Sequence, residues 1–98
     1  MQRLFDQFVR ERRFLKNVTA KTEAWYLQSW NAVANGLGPD DPLPPKSYWT
    51  ERIAELRQRG VSAVAVNTYT RAINAFLRWA HDEGHVPERV RIPRLKEE

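Results

Sequence analysis

The chain has 98 residues, room for one domain with its own core. An apolar fraction of 42%, with Trp 4, Tyr 3 and Phe 4 against 29% charged residues, excludes a disordered tail. Cys 0 excludes disulfides, cysteine-based zinc sites and a cysteine nucleophile, and the formal charge of +4 is a moderate bias toward polyanions.

From the N-terminus, Leu4, Phe5, Phe8, Val9, Arg12 and Leu15 recur at three- and four-residue steps, so residues 2–15 are expected to form an amphipathic helix. Asp6 and Arg10 are spaced for a favourable i,i+4 pair. Asn17-Val18-Thr19 interrupts the pattern, and Thr19 is the expected N-cap of a second helix, its hydroxyl facing the amide of Lys21 or Thr22. There Thr22, Tyr26, Trp30 and Val33 share one side, with Lys21, Gln28, Asn31 and Asn35 roughly opposite. The Gly- and Pro-rich run from Gly36 to Pro45 excludes regular helix.

Ser47 is the expected cap of a third helix with Trp49, Ile53 and Leu56 as its apolar stripe and Gly60 as its left-handed stop. Ser62 caps a fourth, unbroken from Ala63 to His81 and ended by Gly84 and Pro87, with Val66, Tyr69, Ile73, Phe76, Leu77 and Ala80 toward the core. The tail from Val86 to Lys96 alternates apolar and basic residues around two prolines and is expected to leave the domain as an extended linker. The expected fold is therefore all-α: a compact four-helix bundle over residues 1–86, followed by a linker over 87–98.

The pattern most informative about function lies on the back of the fourth helix. Asn67, Arg71, Asn74 and Arg78 fall within about 60° of one another at 100° per residue, opposite the core and without an acidic member. Arg matches the acceptors of guanine or a phosphate, and Asn the donor–acceptor pair of adenine, so the stripe suits a groove-reading helix. Thr70 flanks it. The bland alternative is a solvated helix face.

A second surface is the start of the second helix, where Thr19, Lys21 and Thr22 join free backbone amides in an arrangement suited to a phosphate. Trp25, at the border of that helix's apolar face, is either a contact to a sugar or base edge or a lid on the core. The basic run from Arg10 to Lys16 is either a phosphate contact or simply solvated. His81 and His85 have metal-ligand spacing, but Gly84 lies between them and no third ligand accompanies them, so no metal and no cofactor is expected. No nucleophile–base constellation, phosphate-cradling glycine loop or carboxylate pair indicates an active site.

Taken in order, these features resemble the core-binding domain of phage integrases and other tyrosine recombinases, whose fold is also described as SAM-like with orthogonally packed helices. The resemblance rests on Leu4-Phe5-Asp6-Gln7-Phe8, on Thr19-Ala20-Lys21-Thr22 with Tyr26 and Trp30, and on the run from Val66 to Ala80 with Glu83-Gly84 behind it. Ile92-Pro93-Arg94-Leu95-Lys96 is similar to that family's linker into its catalytic domain. Asn74 stands where many relatives carry a lysine.

The resemblance implies a non-catalytic piece of a site-specific recombinase that grips duplex DNA during integration or excision of a mobile element. Lys21, Thr22, Trp25 and Gln28 of the second helix and Asn67, Thr70, Arg71, Asn74 and Arg78 of the fourth would face the major groove, beside the phosphate-suited helix start at Thr19. The implied partners are double-stranded DNA, a catalytic domain of the same parent chain and other recombinase protomers on the DNA, with no membrane; the isolated piece would be a cytoplasmic monomer. The rivals are a helix-turn-helix transcription regulator, because Gly60-Val61-Ser62 joins two helices by a short turn, and a SAM-like protein-interaction module.

Overall fold

A computed structural model describes residues 1–97. Four helices run as α1 (Gln2–Phe14), α2 (Ala20–Ala34), α3 (Lys46–Gln58) and α4 (Ala63–Asp82), and no strand occurs among the described residues. Two helix starts follow the expected chemistry: Thr19 Oγ1 accepts from the Thr22 amide at 3.2 Å, and Ser62 Oγ accepts from the Ala65 amide at 3.1 Å. α3 differs. It begins at Lys46 with Pro45 as its N-cap and no side-chain cap, so Ser47 lies inside the first turn. Proline has no N–H to leave unpaired and its fixed φ suits a helix entry.

The core is aromatic and centred on α4, which packs most extensively on α2. Phe5 stacks on Trp30 with ring centroids 4.3 Å apart and meets Phe76 edge-on at 5.4 Å. Phe8 meets Tyr26 at 5.1 Å and Trp79 at 5.5 Å. The Trp30 indole N–H, buried with its ring, donates to Gln2 Oε1 at 2.6 Å, so its polar atom is satisfied. Trp49, Ile53 and Leu56 close the α3 side, while Tyr69 is only partly buried.

At its C-terminal end α1 departs from the expected pattern: Leu15 stands 74% exposed, beside Phe14 at 69%. The helix ends at Phe14 and the chain turns away at Asn17, φ +55°, so the stripe ends before it reaches Leu15. Asp6 takes a hydrogen bond from Gln2 Nε2 at 2.9 Å, and Arg10 is not among its ion-pair partners.

The long loop is pinned to the start of α1. The Met1 ammonium donates to the carbonyls of Gly38, Pro39 and Asp41 at 3.3, 3.3 and 2.7 Å, and Arg3 pairs with Asp40 at 2.8 Å.

The tail corrects the expectation of a departing linker. Gly84, at φ +76°, turns the chain at the end of α4, and the amides of His85 and Val86 donate to the Ala80 carbonyl. Residues 87–97 then run without regular secondary structure back along α4, with Ile92 only 1% exposed. Val90 and Leu95 pack against the same core. This segment is a strap, and its alternating pattern turns Val90, Ile92 and Leu95 inward while Arg89, Arg91 and Arg94 stay exposed.

Candidate nucleic-acid interface

The strap lies on the face of α4 that the sequence marks as free. Asn67 and Asn74 stand seven residues apart, two turns of helix and about 10.5 Å along its axis, on nearly the same bearing. Three residues of extended chain span roughly 10 Å. The strap runs antiparallel to α4, so residue 92 falls beside Asn74 and residue 95 beside Asn67.

Each asparagine pairs with both backbone groups of one strap residue. Asn74 Nδ2 donates to the Ile92 carbonyl at 3.0 Å, and the Ile92 amide donates to Asn74 Oδ1 at 2.8 Å. Asn67 Nδ2 donates to the Leu95 carbonyl at 2.9 Å, and the Leu95 amide donates to Asn67 Oδ1 at 2.8 Å. Asparagine carries one donor group and one acceptor in a single plane, so it satisfies the N–H and C=O that an extended segment would otherwise leave unpaired. The Asn67 amide also donates to Glu97 Oε2 at 2.9 Å. Glu97 is held below the usual carboxylate range by the hydrogen bond from Asn67 and then by that from Arg94, with the nearby charges of Arg94 and Arg71 acting the same way.

The four-member stripe is therefore divided. Asn67 is 6% exposed and Asn74 half-buried, both engaged with the strap, while Arg71 and Arg78 remain exposed. Thr70, expected to flank an open stripe, is buried, and its hydroxyl has no partner within the protein. The expectation of an uncluttered Asn/Arg face is corrected: the asparagines fasten a strap. The strap contributes side chains in return. Arg71 and Arg78 of α4 and Arg89 and Arg91 of the strap line one concavity of about 380 Å³, together with Asn74, Ala75 and Val90 and without a carboxylate in its lining.

Arg78 reaches Asp82 at 3.6 Å, an exposed pair one turn away, and Arg94 reaches Glu97 at 2.9 Å. Among the described residues no carboxylate forms an ion pair with Arg71, Arg89 or Arg91. Guanidiniums gathered in one cleft, of which only Arg78 has an ion-pair partner, repel each other and favour an anion between them. An adjoining cleft of about 470 Å³ continues past Asn67, Arg71 and Arg94 and includes one carboxylate, that of Glu97, in its lining.

Arg71 also joins α2 to this surface. Its guanidinium lies 5.8 Å from the Trp25 ring centroid, and the Trp25 indole N–H donates to the Thr68 carbonyl at 3.1 Å. Trp25 is thus a half-buried brace between α2 and α4, the placement that the lid reading expects. The start of α2 stands apart: Thr19, Lys21, Thr22 and Gln28 line neither cleft. Lys21 and Gln28 are exposed, while the Thr19 hydroxyl is used on the Thr22 amide and hydroxyl.

Arg89, Arg91 and Arg94 were not among the residues singled out by the sequence. The available signal was the alternation of the tail combined with two asparagines at a two-turn spacing on the helix behind it.

Among the described residues no group of three His, Asp or Glu side chains stands where a metal ion could be held, and no helix is long and apolar enough to cross a membrane. His85 packs against Trp79 with ring centroids 5.0 Å apart. No protein-family model matches this chain, and no curated protein or solved structure matches it.

Proposed function

We propose that this protein binds duplex DNA, chiefly through phosphates, as the gripping module of a site-specific tyrosine recombinase whose chemistry is performed by a separate catalytic domain. The observation that carries the DNA reading is the acid-free cleft lined by Arg71, Arg78, Arg89 and Arg91. Guanidinium forks match phosphate oxygens in geometry as well as charge. The recombinase assignment rests on the sequence resemblance, which covers nearly the whole chain. Base reading by Asn67 and Asn74 does not belong to this proposal, because both amides are engaged with the strap.

The helix-turn-helix rival draws less support. A recognition helix meets base edges with its N-terminal residues, and α4 begins Ala63-Val64-Ala65-Val66, without a polar side chain.

Titration of a labelled duplex at increasing salt tests the proposal. Counterion release predicts that affinity falls steeply as salt rises. Arg71→Ala is expected to weaken binding several-fold and to reduce the salt slope by about 1, as the loss of one phosphate contact does; Arg57→Ala, on α3, should change neither. Absence of binding at low salt overturns the DNA reading, and a larger effect from Arg57→Ala than from Arg71→Ala moves the interface to another face. A palindromic target with a stable dimer would instead indicate a transcription regulator.

A further inference from the structure

The seam between α4 and the strap joins two things that the DNA reading by itself leaves unrelated, the docking of a segment and the binding of an anion. Asn67, Asn74 and the socket for Ile92 hold the strap down, through backbone pairing and apolar burial. The arginines act in the opposite sense. Docking brings Arg89 and Arg91 to a cleft already lined by Arg71 and Arg78; its lining holds no carboxylate, and the acids close to it, Asp82 at Arg78 and Glu97 near Arg71, accompany the α4 arginines rather than Arg89 and Arg91. The same step that buries Ile92 gathers like charges, so the docked strap is held against a repulsion that an anion in the cleft would remove.

We infer that this cleft is a discrete site for a phosphate-class anion and that filling it and docking the strap are one linked event. With the strap lifted, the site keeps only the two arginines of α4; with it docked, the site has four. An anion that prefers four guanidiniums to two must by linkage favour the docked strap, and by the same factor a docked strap favours the anion. The strap thereby becomes a conditional half of the binding surface. Free phosphate and the phosphodiester of a duplex share the chemistry that would be recognised. The inference uses the same cleft as the DNA reading, yet each can fail without the other.

The amides of Ile92 and Leu95 report on docking directly, since each donates to an asparagine only when the strap is down. Their hydrogen exchange is measured on the full chain in sodium chloride, in inorganic phosphate at the same ionic strength, and with a short duplex. Ligand at about ten times its Kd should slow both amides, by up to about tenfold, the limit for a ligand that binds only the docked form. The double variant Arg89→Ala/Arg91→Ala keeps the asparagine fasteners and should lose that slowing, with the bundle's helical circular dichroism unchanged. Asn74→Ala should raise the exchange of both amides without ligand and weaken phosphate binding.

Slowing by phosphate with no duplex binding would uphold the seam site and overturn the DNA reading. Duplex binding that leaves both amides unchanged would uphold the DNA reading and overturn the linkage. Faster exchange with either ligand would also overturn it, because the anion would then be displacing the strap.

Discussion

The two sides of α4 carry residues at similar helical spacings and meet different materials. On one side Ile73, Phe76 and Leu77 are buried, and Phe76 meets rings from α1 and α2, where each added contact excludes water from a shared volume. On the other, Asn67 and Asn74 meet a single segment of backbone, held by four amide hydrogen bonds and by the buried Ile92, with Val90 and Leu95 partly buried beside it. Area stabilises the first side and geometry the second. A side chain lost from the first damages the whole domain, whereas one lost from the second releases a segment and leaves the bundle.

The largest expected effect tests the first side. Phe76→Ala removes a ring that touches Phe5, Phe8, Trp30 and Trp79, and should cost about 3–5 kcal/mol of global stability, read from the urea midpoint. A cost below 1 kcal/mol would mean that the core is far looser than its ring contacts indicate. Next in size is Asn74→Ala, which leaves the Ile92 amide and carbonyl without their partner and should cost about 1–3 kcal/mol of strap docking. The urea midpoint should move much less than it does for Phe76→Ala. Equal shifts would show that strap and bundle unfold as one unit, which would erase the contrast between the two sides.

The smallest effect is one of pH. The pKa of Glu97 is lowered in the folded chain, so its contribution is present above the ordinary glutamate range and is lost as pH falls through the depressed folded value. Acidification should therefore loosen the Leu95 end of the strap before the Ile92 end, visible as unequal changes in amide exchange after correction for intrinsic rates. Glu97→Gln should abolish that pH dependence. A uniform response along the strap would place the titration elsewhere.

What the sequence made legible follows from the range of each signal. Helix caps at Thr19 and Ser62, the left-handed turn at Gly60 and the apolar stripe of α4 are set within a few residues, and the structure agrees with each except at Tyr69 of the stripe, which is only partly buried. Ser47 misled because a serine three residues before a polar stretch looks like a cap wherever it stands, while the proline two residues earlier ended the loop first. The members of the polar stripe do share one bearing on α4. The openness of the stripe was an assumption, since nothing within the helix says what lies over it. The tail's alternation was visible too, but two prolines and a run of basic residues suggested an exit. Matching residue 92 to 74 and 95 to 67 requires knowing that the chain turns back at Gly84, a long-range fact that no local pattern contains.

The antiparallel course of the strap has a mechanical consequence. Tension applied at the C-terminal end of the strap would meet Asn67 first, then Asn74 and the Ile92 socket, and only afterwards Val86 and the end of α4. The fasteners would be loaded in series, as in a zip peeled from its free end, and each would yield at a force set by one asparagine rather than by their sum. Peeling would pay out the slack of residues 87–97 before any load reached the aromatic core, so the bundle is insulated from a pull that its strap absorbs.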